Sequence, residues 1–533
     1  MKKPWLAFYP EGVPYEVTAP SSSVFDLLKD SADLHPNKVA VLEGNNPTTY
    51  LELKCMAEGL AASLYENGFR KGDLLAIMLP NCFEYILSFY AVQRLGGTVV
   101  QVNPMYQPRE LENLLEDSGA KWFISHQAQV QKIEKIGYKE KLHILIADGD
   151  RGEDSSLYFW VDNGKNEPPI IGMDVDNDIA ILQYTGGTTG KPKGVMISHY
   201  NVVCNLYQNK VSSPEEANGN VWERVIGMAP MFHAMGLTIM ITTIFRGGTY
   251  YPILKFDLNI VVDTIKKIQP TVFSGSPTMY IALLNHPGLK AEDLSAIKSF
   301  GSGSAPLSVE VMKAFEEKTS VPITESYGLS EATTMTHKNP SNGVRKPGSI
   351  GIPVPSTDCR IVDIETGTKD VLLGEKGELL IKGPQIMKGY WKNKTETEKT
   401  LKNGWLYTGD LAVMDQDGYF YIVGRKKDMI IAGGYNIYPL EIEEVLYKLP
   451  EVKEVCVYGI PDKYRVETVK AAIVLKENTT ITEKEVEEWC NEHLARYKVP
   501  RYIEFREELP KTAVGKILRT KLIEIEKDRL VNN

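Results

Sequence analysis

Cysteine is scarce and scattered. The 533 residues hold six (Cys55, Cys82, Cys204, Cys359, Cys456, Cys490), and none forms a C-x-x-C pair. That spacing excludes a zinc site built from cysteines and suggests reduced core thiols in a cytosolic setting. Long apolar runs are missing as well: no segment approaches the ~20 residues that cross a bilayer. The opening MKKPWLAFYPEGVPYE breaks at Pro4, Pro10 and Glu11 before any apolar stretch, so no signal peptide is expected. There is no basic excess. Lys plus Arg number 60 against 69 Asp plus Glu, a net charge of −9, which argues against nucleic acid as the partner because phosphate counterions would not be displaced. No repeat of fixed period is found. What remains is a chain 43% apolar, globular in composition and longer than the ~250–300 residues at which one core stops growing. A cytoplasmic protein of several domains is expected, with no transmembrane segment.

The order of elements predicts an α/β fold. Residues 73–79 read as a buried strand, and Asn81 is placed to cap a helix whose apolar face is Phe83, Ile86, Leu87, Tyr90 and Ala91. Gly96-Gly97 stops that helix before a strand at 98–102, making a right-handed crossover and a parallel sheet. The pattern returns with strands expected near 121–125, 225–229, 249–252, 271–274, 297–300 and 322–325. Helices are expected near 108–115 and from Met235, Pro277 and Leu307. After Pro355, alternating runs at 378–382 and 419–423 predict antiparallel β structure. The tail predicts a small α+β unit with helices at 440–449 and 482–494, strands at 454–458 and 469–475, and a last helix from Lys516. The domains expected are 1–426, large, with mostly parallel sheets wrapped by helices plus a β-rich part, and 427–533, small and mobile.

Chemistry concentrates in a few loops. Tyr184-Thr185-Gly186-Gly187-Thr188-Thr189-Gly190-Lys191-Pro192-Lys193-Gly194 combines glycines that let backbone N–H groups approach closely with hydroxyls and charge, a cradle for a polyphosphate. It departs from the kinase-type P-loop, since the glycine spacing is one short and Pro192 stands where Ser or Thr would hold magnesium. The cation must then be anchored elsewhere. Glu331, in Glu325-Ser326-Tyr327-Gly328-Leu329-Ser330-Glu331, is a hard oxygen ligand of the right kind. Gly301-Ser302-Gly303-Ser304-Ala305-Pro306 suits a flat ring lying against main chain, or simply a turn before a helix. All three loops are expected beyond the carboxyl ends of strands, where open α/β sheets bind ligands. His233, in Pro230-Met231-Phe232-His233-Ala234, taken alone reads as a packing residue. Asp410 could accept two ribose hydroxyls or be an ordinary turn aspartate. Lys516, after Gly515, opens the last helix in this reading.

Six motifs in order, YTGGTTGKPKG, PMFHA, ESYGLSE, GWLYTGD, GRKKD and PKTAVGK, make the whole chain resemble the adenylate-forming superfamily, and residues 403–430 resemble the fatty-acyl-CoA synthetase signature. The resemblance implies that Thr185 through Gly190 and Lys193 hold the ATP phosphates. It implies that Gly303, Ser304, Ala305, Pro306, Glu325, Ser326, Tyr327 and Gly328 border the nucleotide and that Ser330 touches the α-phosphate. Glu331 would bind Mg2+, Asp410 and Arg425 the ribose, and Lys516 would bridge carboxylate and α-phosphate. Lys427 matches the hinge and Gly433-Gly434 the loop passing the CoA arm. Phe232, His233, Ser302 and Gly303 border the acyl pocket, with His233, Glu331 and Lys516 as the catalytic set. Serine replaces the family's usual threonine at Ser330, keeping the hydroxyl and losing a methyl worth ~0.8 kcal/mol. The implied reaction joins a fatty acid to coenzyme A through acyl-AMP, with release of pyrophosphate. Rival readings are an aryl-CoA ligase, another adenylate-forming enzyme, a kinase or NTPase releasing ADP, and a non-catalytic nucleotide-binding module. The expected partners are small molecules, with contact at a membrane surface left open although no basic amphipathic helix stands out.

Overall fold

In the computed structural model, residues 3–164, 166–185, 192–213, 223–432, 435–462, 464–512 and 515–531 are described. Strands buried on both faces read as continuous apolar runs, and these pair in parallel. Leu74–Met78, Thr98–Gln101 and Trp122–Ser125 lie side by side. Ile179–Thr185 and His143–Ile146 flank them to left and right, also parallel. Lys193–Ser198 and Gly389–Tyr390 complete a seven-stranded sheet at an antiparallel edge. A nine-stranded sheet has six parallel strands at its centre: Val39–Glu43, Thr249–Pro252, Arg224–Gly227, Val272–Gly275, Ser299–Ser302 and Ile323–Gly328. Antiparallel strands close its two edges.

Helices Val24–Leu34, Tyr50–Glu66, Phe83–Arg94 and Ala234–Phe245 share one core with both sheets. Helix Phe83–Arg94 is therefore buried on nearly every side, only Glu84 and Arg94 escaping, where the sequence promised a single apolar face. Its ends are set by tertiary contacts. Gly97 lies so close to Phe69 that a Cβ would meet the ring at 2.4 Å. Asn81 does not cap this helix, since Cys82 holds the N-cap position and makes no side-chain cap bond. The Asn81 amide instead donates to Gly227 O and Ala229 O, both at 3.0 Å, and accepts from Met231 N at 2.7 Å. A buried amide satisfies three backbone groups there, which outweighs one cap on a helix already fixed by packing.

Beyond these layers, Asp358–Val362, Gly377–Lys382, Leu401–Lys402, Trp405–Met414 and Phe420–Arg425 form the antiparallel sheet that alternation predicted. The last sheet holds Ile430–Ala432, Tyr435–Ile437, Val452–Asp462, Val466–Leu475 and Tyr502–Phe505. It has a core of its own with helices Pro439–Leu446 and Glu483–His493, while Leu522 of helix Arg519–Val531 packs on the other face. Lys516 does not open that final helix. It ends a turn in which Thr512 N donates to Lys516 O at 2.8 Å and Gly515 N to Thr512 O at 2.9 Å. Gly515 has φ +79°, a left-handed conformation that interrupts a helix.

Strand Ile323–Gly328 runs past residue 325, where sequence reading ended it, because Ser326, Tyr327 and Gly328 pair antiparallel with Lys338, His337 and Met335. The pairing needs a bare backbone at Gly328, where a Cβ would lie 1.4 Å from Thr334 O. Overpacking against rigid main chain costs about 1–3 kcal/mol or more. Gly328→Ala is expected to lower the unfolding free energy by at least that amount, and the urea midpoint with it. An unchanged midpoint would show that the 328–334 turn relaxes freely.

Candidate active site

The carboxyl edges of both parallel sheets face one cavity of about 1030 Å³, so the loops expected around one ligand come from two sheets, not one. From the seven-stranded sheet come Gln101, Asn103, Gln183, Thr185 and Lys193; from the nine-stranded sheet Gly303, Ser304 and Ser326 to Gly328, with Ser330 and Glu331 just beyond. Asp410 and Arg425 enter from the antiparallel sheet, and Lys427, Thr512 and Lys516 from the C-terminal part of the chain. Gly186, Gly187, Thr188, Thr189, Gly190, Gly433 and Gly434 lie outside the described residues.

Four predicted residues fall outside the lining: Ser302, Ala305, Pro306 and Glu325. Ser302 is buried and its hydroxyl has no hydrogen-bond partner among the described residues. Glu325 accepts from Gly348 N at 2.9 Å, and burial raises its carboxyl to about 7 despite that bond and the nearby Arg345. Ala305 and Pro306 follow Ser304, whose φ of +71° turns the chain. The flat-ring surface is thus confined to Gly303, Ser304 and the segment 326–328.

Asp410 is buried, and both its oxygens are engaged. Arg425 Nε lies 3.0 Å from Oδ1 and the Tyr327 hydroxyl donates to Oδ2 at 2.6 Å. The adjacent turn is held by Glu378, which accepts from Gly409 N at 3.2 Å and pairs with Lys426 at 3.0 Å. Across the cavity, Lys193 Nζ sits 2.5 Å from Glu396 Oε2 and 5.3 Å from the centre of the Tyr390 ring. Hydrogen bonds from Lys193 and Lys399 hold the Glu396 carboxyl down to about 2. The Tyr390 hydroxyl donates to Glu331 Oε1 at 2.8 Å. That leaves the second carboxylate oxygen, a hard anionic donor, toward the cavity, a donor set that fits a small divalent cation. Sequence reading missed Tyr390 and Glu396. The Gly389-Tyr390-Trp391 run before the Asn393 cap was the available signal, but acidic helix residues ordinarily read as a solvated face.

Lys516 lines the cavity, is exposed to solvent, and has no ion-pair partner among the described residues. The protein crowding it, with Arg425 adding repulsion and Asp410 opposing, brings its pKa down to about 8. The turn carrying it docks closely on the start of helix Pro277–Leu284, since a Cβ on Gly515 would meet Thr278 Oγ1 at 2.4 Å. Lys427 is lowered too, first by burial, with Arg425 contributing. His233 holds the N-cap position of helix Ala234–Phe245 without a cap bond, and its Nδ1 is buried and unpartnered among the described residues. Burial, then Lys516, lowers its pKa to about 4, so the ring is neutral.

The loop before His233 is clamped at every step. Besides the Asn81 bonds, Gln183 Nε2 donates to Phe232 O at 3.0 Å and Tyr85 OH to Met231 O at 3.0 Å. Gly236 permits a backbone approach so close that a Cβ would lie 2.2 Å from Pro230 O.

Residues 28–391 match the AMP-binding enzyme family, and residues 441–516 match the AMP-binding enzyme C-terminal domain. This chain belongs to the AMP-binding enzyme family. A long-chain-fatty-acid–CoA ligase of Bacillus subtilis is 43% identical, with 98% of each chain covered. ATP-bound MatB from Rhodopseudomonas palustris is 31% identical and superposes with a TM-score of 0.87, covering 95% of this chain and 99% of MatB. The apo form of MatB superposes at 0.77, so this family member is arranged more like the ATP-bound form. MenE from Bacillus subtilis in complex with ATP and a magnesium ion is 29% identical, with a TM-score of 0.79 over 93% of this chain and 98% of MenE.

Because the Asn81 amide fixes the backbone that carries Phe232 and His233, Asn81→Ala is expected to cost about 1–3 kcal/mol through orphaned buried groups. The denaturant midpoint should fall and the catalytic efficiency with it. A stable variant of full efficiency would mean that Gln183 and Tyr85 hold the loop unaided.

Proposed function

We propose that this AMP-forming acid–CoA ligase takes a fatty acid as its acid. A fatty acid is the substrate class of the Bacillus subtilis relative, which is alike over nearly all of both chains. The observation that carries the residue assignments is the meeting of Lys516 with Lys193, Glu331 and Arg425 at one cavity. Residues 1–426 form the unit that binds ATP and acid, and 427–533 the mobile unit that brings Lys516.

The chemistry follows from charge. A carboxylate resists attack by a thiol because oxide would have to leave. Its oxygen attacks the α-phosphorus of ATP, the bond to pyrophosphate breaks, and the acid now carries AMP as a leaving group. The thiol of coenzyme A then attacks the acyl carbon, loses its proton, and AMP departs. The first step sets two anions against each other, so cations preorganised in a water-poor cavity supply much of its rate. Lys516 bridges the carboxylate and the α-phosphate; Thr185, Lys193 and the Gly186-Gly187-Thr188-Thr189-Gly190 segment hold the outer phosphates. Ser330 donates to the α-phosphate. Tyr327, Gly303 and Ser304 frame the adenine, and Asp410 with Arg425 takes the ribose. Glu331 would hold a magnesium ion, which neutralises phosphate charge when bound. Phe232 and the neutral His233 border the acyl path. Gly433 and Gly434 pass the CoA arm once the second unit has turned about Lys427. Six unpaired cysteines suit a reducing cytoplasm.

Acids of graded chain length, supplied with ATP, magnesium and coenzyme A, should yield AMP, pyrophosphate and thioester in equal amounts, best with long chains. Release of ADP, or preference for aryl acids, would overturn the substrate reading. Lys516→Ala should cut adenylate formation by about 10²-fold or more and spare thioester formation from supplied acyl-adenylate. Equal loss in both half-reactions would remove Lys516 from its role. Since the free-enzyme ammonium is populated below its pKa of about 8, adenylation kcat/KM should decline as pH rises through that value. Lys516→Arg should retain residual activity without that decline.

A further inference from the structure

Beyond the strand that brings Gln101 to the cavity, the carboxyl edge of the seven-stranded sheet gathers a different set of groups. Strands Leu74–Met78 and Trp122–Ser125 are parallel neighbours. The chain leaving the first places Cys82 and Glu84 at the start of helix Phe83–Arg94, and the chain leaving the second places His126 before helix Gln127–Ile133. One ligand atom from each, a thiol sulfur, a carboxylate oxygen and an imidazole nitrogen, lie within 4.8 Å of one another. Tetrahedral zinc, with bonds of about 2.0–2.3 Å, needs its ligands roughly 3.3–3.8 Å apart, so the set must draw somewhat closer than its 4.8 Å limit on binding.

Three further observations point to a cation. Glu43 stands beside the group, its Oε1 accepting from Phe83 N at 3.2 Å. Neither Glu43 nor Glu84 has an ion-pair partner among the described residues, although two carboxylates share this corner. The Tyr158 hydroxyl donates to Glu84 Oε1 at 2.6 Å, the kind of outer hydrogen bond that orients a ligating carboxylate and leaves the other oxygen for metal. Glu84 and His126 are only half-buried, which gives an ion a way in.

We propose that Cys82, Glu84 and His126 bind a zinc ion, with water in the fourth position. Sulfur and imidazole select a borderline metal over magnesium or calcium, which take oxygen ligands. Binding releases the thiol proton of Cys82 to solvent, and zinc takes up thiolate, neutral imidazole and carboxylate with no change of oxidation state. The ion would staple the helix start next to Asn81, the residue that anchors the loop of Phe232 and His233.

The test uses the chelator-stripped full-length protein titrated with Co2+ in a buffer free of thiols. One equivalent should bind, with a thiolate-to-cobalt charge-transfer band in the near ultraviolet that equimolar zinc abolishes, and zinc should raise the melting temperature. Cys82→Ser should lose the band, and Cys55→Ser, which alters an exposed thiol, should keep it. His126→Gln should weaken zinc by about tenfold or more and retain ligase activity, showing that it is folded. Absence of saturable binding, a band that survives Cys82→Ser, or unchanged zinc affinity in His126→Gln would each overturn the proposal.

Discussion

Positive charge crowded around one cavity is the constraint on which the rest of the site depends. Lys193 is held by Glu396, and Arg425 by Asp410. Lys516 and Lys427 have no such counter-ion among the described residues, and crowding by the protein, with Arg425 adding repulsion, brings the Lys516 pKa down to about 8. Arg425 repels both lysines, and an anion entering the cavity relieves that repulsion. The turn that carries Lys516 is set by close packing of Gly515 on Thr278.

The same economy explains why Tyr390 matters. Its ring lies under the Lys193 ammonium and its hydroxyl reaches Glu331, so one buried side chain spaces a cation and an anion that would otherwise collapse onto each other. It is carried on a two-residue strand paired with Val195 and Met196, next to the strand that delivers Lys193. The Lys193 side of the cavity is therefore built on the edge of the seven-stranded sheet. The Asp410 side is built on the antiparallel sheet, where Glu378 locks the turn before Asp410.

Much of this was legible in the sequence for a physical reason. Strands buried on both faces must be apolar throughout, so 98–102 and 249–252 declare themselves, whereas the glycine–threonine–lysine cluster between two strands falls mostly outside the described residues. Reading failed where tertiary contact overruled local spacing. Asn81 has the spacing of a cap, yet its amide is spent on residues 227–231, which lie far along the chain. Lys516 follows a glycine before a helix, yet the left-handed Gly515 makes the pair a turn. Glu325 belongs to a motif whose neighbours line the cavity, but strand alternation sends its carboxylate to Gly348. Glu396 looked like surface charge because nothing local shows that Lys193 lies across from it.

Where residues 427–533, the unit proposed to move, meet the rest of the chain, two of the links are weak. Lys376 and Glu441 join the two at 3.7 Å, both well exposed to solvent, and such pairs contribute about 0–1 kcal/mol. The Lys376 ammonium also lies over the Tyr438 ring at 4.5 Å, another contact of about 0.5–1 kcal/mol at an exposed site. The larger core of that unit is internal to it, so turning it away breaks little apolar packing. The chain superposes better on ATP-bound MatB than on the apo form. Under the proposed function, links as weak as these let the Lys516 turn leave once the acyl-adenylate has formed, so that the thiol step can follow.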